Sequence, residues 1–165
     1  MQLVFLHGLE TGPHGSKYQA LKAMFGEVIS PDCEGVFDPE QRLTIIRDTL
    51  RDQPGPFLVV GSSAGGLMAL LLQQVEARVA ALVLCAPALH TEHATHLSAD
   101  RLPPTVVIHG RRDDVVPIDS SRRFGAPLIE VDDDHRLNAS IPLMLEQVFR
   151  LKCQWLYPDV TSTEG

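Results

Sequence analysis

LVVGSSAGGLMALLL, residues 58–72, decides how this chain is read. Its first residues are apolar up to Gly61, as in a strand buried on both faces, and its last residues form an apolar run suited to a helix. Between the two lie only glycine, serine and alanine, the composition of a sharp strand-to-helix turn in which a bulky side chain would collide with nearby backbone. Aligned as G-x-S-x-G, the segment puts Ser63 at the tip of the turn, with Gly61, Ala64, Gly65 and Gly66 as small neighbours. Ser62, one step away in the strand alternation, is expected to point elsewhere. The Ser63 hydroxyl then sits at a helix N-terminus, where backbone N–H groups and the helix dipole favour negative charge. The same composition also suits a phosphate cradle or a tight turn without chemistry, so the surroundings must decide.

Outward from the turn, short apolar runs alternate with helix-compatible segments. LVFLHG (3–8), EVISPD (27–32), FLVVGS (57–62), VAALVLCAP (79–87), TVVIHG (105–110) and PLIEVDDD (127–134) read as strands. Between them, helices are expected over 16–26, with Ser16 as N-cap and Gly26 as stop, and over 39–53, 64–77, 117–125 and 138–155. Alternation of this kind implies right-handed βαβ crossovers. The expected fold class is α/β, a three-layer α/β/α sandwich around a mostly parallel sheet, with ligands at the strand C-terminal ends. One domain over 1–157 and a flexible tail over 158–165 account for the chain.

Composition excludes several classes. A hydrophobic content of 44% and a charged content of 21% are those of an ordinary globular protein. The net charge of −7 argues against nucleic acid and anionic membrane surfaces as partners, and the Arg111–Arg112 and Arg122–Arg123 doublets read as solvated surface. Cys33, Cys85 and Cys153 are widely spaced and form no C-x-x-C pair, so neither a disulfide framework nor a zinc site is indicated. No apolar run reaches the roughly 18 residues of a membrane span, and MQLVFLHG reads as a strand and not as a leader, so a cytoplasmic location is expected. His90, His93 and His96 recur at a spacing of three, but without a companion carboxylate pattern they do not call for a metal, and no cofactor is expected.

A serine hydroxyl is a poor nucleophile without a base and a group that orients the base. Asp113 follows one apolar run and His135 follows the next, which puts both on the same sheet edge as Ser63. The order Ser63, Asp113, His135 is the one expected where a nucleophile sits on a strand-to-helix turn of this type. Asp114 is the neighbouring alternative for the acid. Asp132, Asp133 and Asp134 read as a solvated loop run. His109, inside a strand end, and His7, in FLHG, read as structural.

FLHG (5–8), GSSAGG (61–66), HGRRDDVVP (109–117) and DDDHR (132–136) together resemble the α/β-hydrolase superfamily across nearly the whole chain. The short length and the opening FLHGLETGPHGSK are similar to the small, lidless bacterial YqiA-like esterase group. The resemblance implies a minimal α/β-hydrolase core, without the first antiparallel strands and without a large cap. It implies a Ser-His-Asp triad of Ser63, His135 and Asp113, with the backbone N–H groups of Leu9 and Ala64 as the oxyanion hole. His7, Gly8, Gly61 and Gly65 support the turns around them. The expected activity is that of a serine esterase acting on small-molecule esters or thioesters through an acyl-enzyme. Three other readings stand beside it: an amide or peptide hydrolase of the same fold, a non-catalytic binding module retaining that fold, and a nucleotide-binding protein using the GSSAGG turn for phosphate. The last lacks both the P-loop lysine pattern and a G-x-G-x-x-G fingerprint.

Overall fold

Side chains alternate faces along a strand, and in Gln2–Leu6 both sets are apolar: Leu3 and Phe5 face one core, Val4 and Leu6 the other. This is the signature of a sheet covered by helices on both sides. The computed structural model, which describes residues 1–159, contains a six-stranded, all-parallel sheet in the order β2-β1-β3-β4-β5-β6. The strands are β1 (Gln2–Leu6), β2 (Val28–Ile29), β3 (Phe57–Ser62), β4 (Val79–Cys85), β5 (Thr105–Gly110) and β6 (Leu128–Val131). The helices are α1 (Ser16–Phe25), α2 (Pro39–Leu50), α3 (Ala64–Val75), α4 (Ile118–Phe124) and α5 (Ile141–Leu156).

On one face Tyr18 and Leu21 of α1 and Met144, Val148 and Leu151 of α5 pack on Leu3, Phe5, Val60, Val83 and Ile108. On the other, Ile46 and Leu50 of α2 and Met68, Ala69 and Leu72 of α3 pack on Val4, Leu6, Val59, Leu82, Leu84 and Val107. The chain leaves β1 for β2 on one side and returns to β3 on the other, so the loops after β1 and β3 diverge. That divergence opens a crevice at the strand C-terminal ends, the place where ligands bind in open parallel sheets.

Each expected strand and helix is present, with shifted ends. β2 shrinks to Val28–Ile29, because it is an edge strand that Pro31 terminates. Ser16 is not the N-cap of α1. That place belongs to Gly15, whose carbonyl accepts from Gln19 N at 3.0 Å, and Ser16 lies one residue inside the first turn. Gly26 ends α1 as expected, with φ 88°. α2 is capped by Asp38, whose Oδ2 accepts from Gln41 N at 3.1 Å. A 3-10 turn over Asn138–Ser140 precedes α5. Of the expected tail, 160–165 lie outside the described residues. Among the described residues, no helix is long and apolar enough to cross a membrane.

Candidate active site

β3 runs directly into α3, and Ser63 alone makes the turn, with φ 56° and ψ −117°. A side chain held at such a φ costs on the order of 1–3 kcal/mol, so the surroundings must enforce it. Ser63 N donates to the Cys85 carbonyl at 2.9 Å, and the Ser63 carbonyl accepts from Gly66 N at 2.9 Å and Ala88 N at 3.0 Å. The glycines set how closely α3 lies on the sheet. A Cβ on Gly65 would fall 1.9 Å from the Leu6 carbonyl oxygen, and one on Gly61 2.4 Å from the Gly65 carbonyl oxygen.

The loops after β5 and β6 bring Asp113 and His135 to this turn. His135 Nε2 lies 3.0 Å from Ser63 Oγ, and His135 Nδ1 lies 2.7 Å from Asp113 Oδ2. The other Asp113 oxygen accepts from Val115 N at 2.9 Å and Val116 N at 2.8 Å. Burial alone pushes the Asp113 carboxyl upward, but the hydrogen bonds from His135, Val116 and Val115 outweigh it and hold the group below its ordinary value. Asp113 therefore stays an anion and fixes the proton of His135 on Nδ1, leaving Nε2 to accept from the serine. Asp114 is exposed.

His109, fully buried, backs the same carboxylate. Its Nε2 lies 2.9 Å from the Val116 carbonyl, which only accepts, so Nε2 carries a proton; that nitrogen is also 3.1 Å from Asp113 Oδ2. Ser121 Oγ then donates to His109 Nδ1 at 2.7 Å. The aspartate run is not the uniformly solvated loop expected of it. Asp132 and Asp134 are exposed, but Asp133 is buried, its carboxylate accepting from Ser140 Oγ and Asp134 N, each at 2.8 Å. Burial raises its pKa, yet these bonds and the Ser140 amide bring it below the ordinary value. Asp133 thus ties the His135 loop to the start of α5. No signal within DDD marks which aspartate turns inward.

The loop after β1 closes the opposite side. Gly8 lies against the turn, so that a Cβ on it would sit 3.5 Å from Ser63 Cβ. His7 Nδ1 lies 2.7 Å from the Gly8 carbonyl and therefore donates to it, while Nε2 accepts from Cys33 N at 2.9 Å. Burial lowers the His7 pKa, and with both nitrogens so committed the ring is a neutral turn support and not a base. Among the described residues, the Leu9 and Ala64 amides donate to no group of the chain.

A residue that sequence reasoning passed over stands behind this loop. Arg42 of α2, only 2% exposed, donates to the carbonyls of Val36 (2.6 Å), His7 (3.0 Å), Gly8 (3.2 Å) and Cys33 (3.3 Å). Its signal was available: Arg42, Ile46 and Leu50 are spaced i, i+4, i+8, which puts an arginine on the apolar stripe of the helix.

In front of Ser63 lies a hollow of about 450 Å³, walled by Leu9, Phe37, Leu67, Met68, Ala88 and Val115. Met68 both packs in the core and faces this hollow. His90, Thr91, Glu92 and His93, from the segment joining β4 to β5, complete one wall. His96 does not line the hollow, and among the described residues no three His, Cys, Asp or Glu side chains gather where they could hold a metal ion.

Comparison with known proteins gives these elements a lineage. No curated protein sequence matches the chain. Among solved structures, it is similar to a candidate hydrolase of the alpha/beta superfamily from Xanthomonas campestris pv. campestris, at 25% identity over 93% of this chain and 98% of that one, with a TM-score of 0.76. Est1E from Butyrivibrio proteoclasticus (16% identity, 94% and 88% covered, TM-score 0.77) has the same fold. So does mouse alpha/beta hydrolase domain-containing protein 10 (18% identity, 93% and 90% covered, TM-score 0.77). Residues 3–158 match the profile of the Alpha/beta hydrolase family. Fold and family match together support hydrolysis as the chemistry of this protein, and the chain belongs to the alpha/beta hydrolase family.

Proposed function

We propose that the chain is a serine hydrolase that cleaves carboxylic esters or thioesters through an acyl-enzyme on Ser63. The observation that carries this reading is the relay from Ser63 Oγ to His135 Nε2 (3.0 Å) and from His135 Nδ1 to Asp113 (2.7 Å), opening on an apolar hollow. Ser63 Oγ attacks the acyl carbonyl as His135 Nε2 takes its proton, and the carbonyl oxygen becomes an oxyanion between the Leu9 and Ala64 amides. Each such donor is worth about 3 to 4 kcal/mol of transition-state stabilisation. The intermediate collapses by breaking the bond to the alkoxy or thiolate group, which receives the proton from His135. Water, deprotonated by the same histidine, then releases the acid and restores the serine.

Leu67, Met68, Ala88 and Val115 suit an apolar acyl or alcohol group, and Ser63 is half-buried and open to solvent through the hollow. The substrate of this proposal is a small soluble ester or thioester, turned over in the cytoplasm without nucleic acid, membrane, metal or cofactor. Assignment to the YqiA-like esterase group rests on the sequence resemblance. The test is fluorophosphonate labelling with peptide mapping, followed by turnover of p-nitrophenyl esters and matched thioesters and amides. The expected result is an adduct on Ser63 that Ser63→Ala and His135→Ala abolish, with esters and thioesters cleaved faster than amides. A folded chain that takes no label and turns over none of these substrates overturns the proposal.

A further inference from the structure

We propose that Arg42 is a positioning residue of the oxyanion hole, holding the Gly8–Leu9 peptide so that the Leu9 N–H faces the carbonyl attacked by Ser63. The inference rests on the hydrolase reading above and concerns a residue that borders the hollow but directs its hydrogen bonds to loop carbonyls and to none of Ser63, His135 and Asp113. Its starting point is the Gly8 carbonyl, which has two acceptor positions and two donors: His7 Nδ1 at 2.7 Å and Arg42 Nη2 at 3.2 Å. In a trans peptide the C=O and the following N–H point in opposite directions, so anchoring the Gly8 oxygen aims the Leu9 N–H away from Arg42. A Cβ on Gly8 would lie 3.5 Å from Ser63 Cβ, and Leu9 and Ser63 border the same hollow.

The charge gives Arg42 more to do than tie a loop. Buried cations are ordinarily paired, because desolvation costs several kcal/mol. Among the described residues Arg42 has no carboxylate within ion-pair distance and is solvated by carbonyl dipoles alone. One peptide unit separates this cation from the position of the oxyanion. A donor at the Gly8 oxygen draws electron density from the peptide and makes the Leu9 N–H a stronger donor in turn. The negative charge this favours exists only in the transition state, so the effect belongs in kcat and not in KM.

The experiment compares wild type, Arg42→Lys, Arg42→Met and Ser63→Ala, each checked for folding by circular dichroism. Readouts are kcat and KM on p-nitrophenyl acetate and the Ki of phenylboronic acid, whose tetrahedral adduct on Ser63 puts a negative oxygen in the hole. For Arg42→Met, kcat is expected to fall about 10- to 100-fold with KM within about twofold, less than the loss of a whole donor. Ki should rise by the same factor, and the pH midpoint of kcat/KM should stay in place because the triad is untouched. Arg42→Lys, which keeps the charge but not the planar fork, should recover part of the loss.

Folded variants with kcat within about threefold of wild type, a loss confined to KM, or a Ki that does not follow kcat would each overturn the inference. If neither variant folds, the side-chain N–H signals of Arg42 in wild type should shift when phenylboronic acid binds, and signals that stay in place overturn it. A wild type no more active than Ser63→Ala would instead sink the hydrolase reading itself.

Discussion

Two arginines tie loops at opposite ends of the same sheet, and they are neutralised differently. Arg78, at the N-terminal end of β4, donates to the carbonyls of Leu50 and Gln53 and forks onto Glu76, with Nε–Oε1 at 2.8 Å and Nη2–Oε2 at 2.9 Å. Its guanidinium also lies over the Phe57 ring, 5.0 Å from the centroid. Arg42, at the C-terminal end, binds carbonyls in the same manner but in full burial and with no carboxylate. A paired arginine that keeps some exposure costs little to hold and steadies the corner it sits in. An unpaired buried one is a standing cost, and it occurs beside the turn where Ser63 is held at φ 56°. The comparison separates an end of the sheet built for stability from one where stability is spent on geometry. Replacing polar side chains at the C-terminal end should therefore remove activity out of proportion to stability, and replacing those at the other end the reverse.

The largest effect expected is that of Ser63→Ala, a loss of about 10⁴-fold or more in kcat/KM on p-nitrophenyl acetate with a melting temperature close to wild type. Ser63→Gly should be equally inactive yet more stable by about 1 kcal/mol, since glycine occupies positive φ without strain. Chemical denaturation of the pair checks this, and a destabilised glycine variant would show that the turn stores no strain.

Asp113→Asn comes next, with an expected loss of about 10³- to 10⁴-fold. If the amide oxygen keeps the Val115 and Val116 N–H groups, its NH₂ faces His135 Nδ1 and forces the ring proton onto Nε2, where it can no longer accept from Ser63. The same NH₂ would also meet the N–H of His109, 3.1 Å from the present oxygen. Asp114→Asn, on an exposed side chain, should stay within about twofold of wild type in the same assay, and a larger loss there would reassign the acid.

Gly65→Ala has the third largest effect. Alanine is the better helix former by about 1 kcal/mol, but here its Cβ would meet the Leu6 carbonyl oxygen at 1.9 Å, so α3 must lift from β1. A net destabilisation of about 3 kcal/mol or more is expected from urea unfolding, and a variant as stable as wild type would mean that α3 is not seated as closely as described.

What the sequence disclosed of this arrangement follows from periodicity. Each of the three relay residues stands at the end of an apolar run, and the parallel registers Ser62 with Cys85, Cys85 with Ile108 and Gly110 with Val131 carry those ends to one edge. The turn at Ser63 was legible because only small residues permit it. What periodicity does not carry is which polar residue in a run turns inward. Asp133 turns inward to Ser140, seven residues on, while Asp132 and Asp134 stay exposed, and nothing local marks that bond. Ser16 failed as a cap for a related reason: a glycine one residue earlier took the extended conformation and left the serine inside the helix. Arg42 is the instructive case: the spacing shows its place on the Ile46–Leu50 stripe, but not that the carbonyls of His7, Gly8, Cys33 and Val36 receive it there.

The smallest effect belongs to the other end of the sheet and tests the comparison from that side. The hydrogen bond from Arg78 lowers the Glu76 pKa from an ordinary 4.5 to about 2. A carboxylate whose pKa is depressed on folding contributes stability that is complete above its unfolded value and is lost as pH falls through the folded one. The difference between wild type and Glu76→Gln should therefore be constant above about pH 5.5 and shrink steadily from about pH 5 to pH 2. Because solvent reaches both side chains, its plateau should be under about 1 kcal/mol and should weaken in high salt. Asp113 and Asp133 also have lowered pKa values and contribute to acid unfolding, but they are present in both proteins and cancel in the difference. Ester turnover by Glu76→Gln near neutral pH should match wild type, since the corner it loosens lies at the far end of β3 from Ser63. A large loss of kcat there, with the fold intact, would mean that the two ends of the sheet are coupled and that the division between them is wrong.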